Sequence, residues 1–217
     1  LLLYFCRLFF GNVLTNFLIN GIFTIFLNPL NFCFMIIIFF GAPGVGKGTQ
    51  ASVIAQDMGL GHLSTGEALR AAIAAETEVG KLAKQIVESG NLVSDEVVTQ
   101  IVKETLQQPK FQKGAILDGY PRTLGQARDL AALLDALGKK VAVVVNITVD
   151  TEKVIKRLIA RGRKDDTEDV IRERFTIYEK ETAPLLDYYL ATPNLVKTVD
   201  GDAEVEEVSK RITSALA

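Results

Sequence analysis

The sequence has no tryptophan, one histidine, two methionines and two cysteines in 217 residues. Both cysteines, Cys6 and Cys33, fall in the first 34 positions, so the rest of the chain offers neither a disulfide nor a thiolate zinc site. Excess positive charge is lacking as well. A net charge of −2 and an isoelectric point near 5.6 argue against a general nucleic-acid binder, and any polyanion bound must be met by locally placed Arg and Lys. No internal repeat and no low-complexity segment follows Met35. The length suits one α/β domain with a large core and small inserted arms.

Residues 1–34 lack still more. They hold one charge, Arg7, and no Ala, Ser, Gln, Asp, Glu or Lys, yet eight of the twelve Phe and five of the eight Asn. Asn12, Asn16, Asn20, Asn28 and Asn31 interrupt the apolar run, which leaves no stretch of about 20 apolar residues to span a membrane. Neither a basic start nor a small-residue cleavage site marks a signal peptide. At Met35, the first Met, the composition turns rich in Ala, Val, Glu and Lys. The expectation is that the native chain starts at Met35 and that residues 1–34 are translated non-coding sequence. Mass spectrometry of the natively expressed protein tests this, and cell fractionation tests the competing idea of a membrane anchor.

From Met35 onward, short apolar runs alternate with amphipathic stretches. Met35–Phe40, Ala115–Asp118, Val141–Val149 and Leu195–Val199 read as buried strands, and His62–Leu63 ends a shorter one. Helices are predicted over Lys47–Met58, Gly66–Ala75, Val79–Ser89, Asp95–Gln107, Leu124–Ala136, Thr151–Ala160, Glu168–Tyr189 and Ala203–Leu216. This alternation predicts an α/β fold, a parallel sheet with helices on both faces. Ligands of such sheets sit outside the carboxyl ends of the strands, where Gly41 and Asp118 fall.

"GAPGVGKGT" (Gly41–Thr49) lies between a predicted strand and a predicted helix. Its glycines, Gly44, Gly46 and Gly48 among them, let backbone N–H groups wrap a phosphate chain at a helix N-terminus. Lys47 reaches the outer phosphates as a mobile charge. The hydroxyl expected directly after the lysine is displaced by one position, to Thr49, because Gly48 stands there. A Mg²⁺ ion carried with the nucleotide then needs another anchor, and Asp118 at a strand end is the candidate, directly or through water.

The glycine after the lysine, in GxPGxGKGTQ, resembles the loop of nucleoside monophosphate kinases, and four further stretches follow in that family's order. "HLSTGEALR" (His62–Arg70) is similar to the start of the monophosphate-binding arm and "GNLVSDE" (Gly90–Glu96) to its end. "LDGYPRTLGQA" (Leu117–Ala127) resembles the family's Asp-Gly-Phe-Pro-Arg segment. "RLIARGRKDD" and "RERF" resemble the lid and its following arginine. The closest likeness is to the adenylate kinases. It implies a P-loop kinase of residues 35–217, with a helical arm over 64–93 and a minimal lid over 161–166.

The resemblance assigns ATP to Gly44, Val45, Gly46, Lys47, Gly48, Thr49, Arg157, Arg161 and Ala203. It assigns AMP to Thr65, Arg70, Asn91, Leu92, Val93, Gly119, Tyr120, Pro121, Arg122, Gln126, Arg163 and Arg174. Lys47, Arg122, Arg163 and Arg174 are the implied catalytic cations, and no general base is needed, which leaves the lone His62 a structural role. Ser64-x-x-Glu67 and Thr123-x-x-Gln126 also read as capping boxes. Thr65 and Gln126 favour AMP, since pyrimidine kinases typically carry a small apolar residue and Asn there. Only Gly162 separates Arg161 from Arg163, so the lid has no zinc ligands and is expected to be a stub anchored by Asp165 and Asp166, with the arm making the larger motion.

The implied reaction is MgATP + AMP ⇌ 2 ADP, in a cytoplasmic monomer without membrane or nucleic-acid partners. The alternatives are a UMP/CMP or other monophosphate kinase and a nucleotide-binding regulatory module. The paired acceptor-side Arg70 and Arg122 argue against the regulatory module.

Overall fold

The computed structural model describes residues 34–163 and 166–217. The expectations for residues 1–33 and for Asp165 lie outside them.

Five strands form one parallel sheet: β1 (Met35–Phe40), β2 (Gly61–Ser64), β3 (Gly114–Asp118), β4 (Val141–Thr148) and β5 (Val196–Asp200). Their spatial order is β2-β3-β1-β4-β5. β1 is central, and Ile36 to Phe40 are all buried because successive side chains enter opposite layers. Ile36, Ile38 and Phe40 join Leu63, Leu117 and Val144 in one core layer. Ile37 and Phe39 join Ile116, Val145 and Ile147 in the other.

The helices are α1 (Lys47–Met58), α2 (Thr65–Ala74), α3 (Glu78–Glu88), α4 (Asp95–Leu106), α5 (Leu124–Ala136), α6 (Thr151–Arg161), α7 (Glu168–Ile177), α8 (Leu185–Leu190) and α9 (Val205–Leu216). Ile54 of α1, Val154 and Leu158 of α6, and Val208 and Ile212 of α9 cover the second layer. Leu69, Ala83, Val102, Leu130 and Leu134 from α2 to α5 cover the first. Among the described residues, no helix is long and apolar enough to cross a membrane.

Two local expectations are corrected. The single helix predicted over 168–189 is broken: a π-helical turn, Tyr178–Thr182, follows α7, and α8 begins after Pro184. Proline has no N–H to donate and its ring crowds the carbonyl four residues back, so the regular ladder cannot continue through it. Ser64 occupies the N-cap of α2, but its side chain makes no capping hydrogen bond. The other box closes on one side only. Thr123 Oγ1 accepts from the Gln126 N–H at 3.1 Å, while the Gln126 amide turns elsewhere.

Strand register aligns the site. Phe39 and Asp118 are partners, as are Ser64 and Asp118, and Phe40 and Asn146. The loop after β1, the start of α2 and the turn after β3 therefore leave the sheet at one level, beside the strand where the chain order reverses.

Candidate active site

At that carboxyl edge opens a cavity of about 760 Å³, within the range of ligand pockets. One end is the loop after β1. Gly44 adopts φ +87°, and a Cβ there would come within 2.7 Å of Val154 and Leu158 on α6, so only glycine fits. Lys47 opens α1, and its Nζ donates to the carbonyls of Gly41 at 2.7 Å and Ala42 at 2.8 Å. Burial brings this ammonium down to about 8. Asp118 opposes the fall, and Arg122 and Arg161 add to it.

Asp118 faces the start of α1, where a Cβ on Gly48 would lie 3.2 Å from its Oδ2. A side chain at that position would press on the carboxylate, which would have to give by a few tenths of an ångström. Burial alone would raise the Asp118 carboxyl, but neighbouring His62, Lys47, Ser64 and Arg122 outweigh it and hold the group below its ordinary value. His62 Nε2 stands 3.9 Å from Oδ2, beyond hydrogen-bond reach, and is a buried nitrogen without a hydrogen-bond partner.

The other end is lined by Thr65, Arg70, Asn91, Leu92, Val93, Gly119, Pro121, Arg122 and Gln126. Gly119 has φ +75°, and a Cβ there would meet Arg122 Nη2 at 2.7 Å. Its carbonyl accepts from Arg122 Nε and Thr65 Oγ1, each at 2.8 Å. Gln126 holds the Arg122 N–H with its Oε1 at 2.7 Å, and Thr182 Oγ1 donates to the Arg122 carbonyl at 2.9 Å. Burial lowers the Arg122 guanidinium, with Asp118 opposing and Arg174 and Arg70 adding to the fall. It remains a cation at any working pH.

Arg157, Arg161, Arg163, Arg174 and Ala203 also line the cavity. Asp166, its side chain 0% exposed, accepts from Arg161 Nε at 2.8 Å, Arg161 Nη2 at 2.9 Å and Arg174 Nη1 at 2.9 Å. Arg172 instead pairs with Glu168 on the surface, as a solvated helix arginine does.

Against this geometry, a family model described as adenylate kinase matches residues 39–193. The chain belongs to the adenylate kinase family. The adenylate kinase of Mycobacteroides abscessus is 44% identical over 182 residues, covering 84% of this chain and 99% of that protein. That of Prochlorococcus marinus is 46% identical over 180 residues, with coverage of 83% and 96%. That of Archaeoglobus fulgidus is 41% identical over 213 residues, with coverage of 84% and 98%.

The cleft of this adenylate kinase gathers the predicted residues with two exceptions. Val45 and Tyr120 do not line it, because their side chains fill the core at 3% and 2% exposure. The Tyr120 hydroxyl is paired with Thr99 and the Gln126 carbonyl. Contact from either position is left to the backbone. Sequence reasoning missed Tyr178 and Thr182, which the π turn brings to the cleft. Pro184 was the available signal, since it breaks the helix that would have carried them past. It also missed Asp95, which holds Gln126 from 31 positions away.

Proposed function

We propose that this adenylate kinase transfers the γ-phosphoryl group of ATP to AMP, giving two ADP. The observation that carries this reading is that the Lys47 loop and the Arg70–Arg122 pair face one cleft. A protein that only binds ATP has no need of cations at a second phosphate position. An AMP phosphate oxygen attacks the γ-phosphorus while the bond to the β,γ-bridging oxygen breaks. No proton must move, so positioning and charge do the work.

The ATP phosphates lie along the backbone of Gly44–Thr49, with Lys47 on the outer oxygens. Arg157 lies beside the donor base with Ala203, and Arg161 meets the donor phosphates. Arg70 and Arg122 grip the AMP phosphate, which a planar guanidinium can do bidentately. Arg163 and Arg174 offset the charge that spreads over the transferring group. Asn91, Leu92, Val93 and Thr65 wall the acceptor nucleoside, and Gln126 pairs with its base.

Mg²⁺ accompanies ATP and supplies charge neutralisation between the phosphates. Among the described residues no three His, Cys, Asp or Glu side chains gather as a metal cage. The single ionised Asp118 at the loop fits an ion held mainly by water and phosphate oxygens. A cytoplasmic monomer fits a cleft built from one chain, and size-exclusion chromatography with cell fractionation checks both points.

A coupled assay with AMP, CMP, UMP and GMP tests the reading. Turnover should be fastest with AMP, and a preference for a pyrimidine acceptor would overturn it. Arg70→Ala should abolish transfer while leaving ATP affinity within about twofold.

A further inference from the structure

Gln126 lines the acceptor side of the cleft yet is only 2% exposed. Both ends of its amide are committed. Oε1 accepts from the Arg122 backbone N–H at 2.7 Å, and Nε2 donates to Asp95 Oδ1 at 2.8 Å. Asp95, at the start of α4, is fixed in turn, because its Oδ2 accepts from Thr123 Oγ1 at 2.6 Å. The two partners of the amide are one-way groups: a carboxylate only accepts and a backbone N–H only donates. Turning the amide over would set Oε1 against the carboxylate and the Nε2 hydrogens against an N–H. Two hydrogen bonds would become two repulsions, in a buried place where unpaired groups are costly.

We propose that Asp95 determines which purine the acceptor site takes, by fixing the polarity of the Gln126 amide. This rests on the reading of Gln126 as the group that pairs with the acceptor base. After its two internal bonds, each end of the amide keeps one position, a second N–H on Nε2 and a second lone pair on Oε1. Adenine presents the matching edge: its 6-amino group donates to Oε1 and its N1 accepts from Nε2. A 6-oxo purine presents the reverse, with O6 accepting and N1–H donating, and pairs only with the overturned amide. A free glutamine reads both edges by rotating, so it discriminates between them only when something holds it. Asp95 does not line the cleft and acts through Gln126 as a positioning residue for specificity.

The test compares kcat/KM for AMP with kcat/KM for IMP, the 6-oxo purine monophosphate without a 2-amino group. Asp95→Asn replaces a one-way acceptor with a side chain that can donate or accept, so only the Arg122 N–H still opposes rotation. The AMP-to-IMP ratio should fall by about tenfold relative to the unmodified protein. Asp95→Glu keeps an acceptor-only group and should hold the ratio within about threefold, even if KM for AMP rises. A merely structural role for Asp95 would lower stability or slow both substrates alike, without changing the ratio. Should Asp95→Asn fail to fold, Asp95→Ser, with a two-way hydroxyl, carries the same expectation. An unchanged ratio in the folded Asn or Ser variant, with Gln126→Ala raising KM for AMP, overturns the proposal and leaves the base-reading role of Gln126 intact. If Gln126→Ala alters neither KM for AMP nor the ratio, the base-reading role fails and the proposal with it.

Discussion

Lys47 is the residue whose charge is hardest to keep. Its ammonium sits among carbonyls and other cations, and burial has brought it down to about 8. Phosphate oxygens placed beside it favour the charged form and must push the value back up. Nucleotide binding above that pH therefore draws a proton onto Lys47. Calorimetry in buffers of different ionisation enthalpy should show uptake of up to about three-quarters of a proton per ATP near about pH 8.5, and far less near about pH 6.5, where the group is already protonated. No dependence of uptake on pH would refute the shift. The effect on folding has a definite sign. From the ordinary value of 10.5 the group falls to about 8, so the folded chain holds fewer protons between these limits. The contribution of Lys47 to stability rises with pH through that window and is at its least favourable below it. Asp118 opposes the fall. Asp118→Asn should therefore lower the Lys47 value further and raise the Mg²⁺ concentration needed for half-maximal rate, read from a Mg²⁺ titration of the initial velocity.

At the scale of elements, Asp166 ties the end of α6 to α7 through Arg161 and Arg174. Asp166→Ala removes a buried carboxylate that accepts three guanidinium hydrogen bonds, at a cost of about 2–3 kcal/mol. Thermal denaturation should show the corresponding drop in Tm. Gly44→Ala acts on an earlier stretch of α6. Its Cβ would overlap Val154 and Leu158 and would require a left-handed backbone, so ATP affinity should fall by at least about tenfold while AMP affinity is kept. Most elements were legible in the sequence. β1, β3 and the middle of β4 are covered on both faces, so they read as nearly continuous apolar runs, with Asn146 the exception. The loop before α1 is legible because phosphate chemistry dictates its glycines. The break after Ile177 was hidden by an apolar period that runs on past it, although Pro184 marks it. The orientations of Val45, Tyr120 and the Ser64 hydroxyl depend on what lies across the fold, as do the partners of Gln126 and Asp166. No local pattern encodes those contacts.

For the whole molecule, the expected motion is closure of the elements above the carboxyl edge over a sheet that stays fixed. The segment 64–93 reaches out as α2 and α3, with Leu82 76% exposed, while Ile36 to Phe40 of β1 are almost wholly buried. Hydrogen exchange with a bisubstrate analogue should slow most in α2 and α3 and little in β1 and β4, which are protected already. Equal slowing throughout would argue against the arm as the moving part. Asp166 adds a consequence at this scale, because its Oδ1 accepts from Arg161, assigned to the donor, and from Arg174, assigned to the acceptor. On the proposed roles, a nucleotide that draws one arginine toward itself changes the hold of the shared anion on the other. The two substrates are thereby made aware of each other without touching. Initial-rate measurements should find each Michaelis constant depending on the concentration of the other substrate, and Asp166→Asn should make them independent.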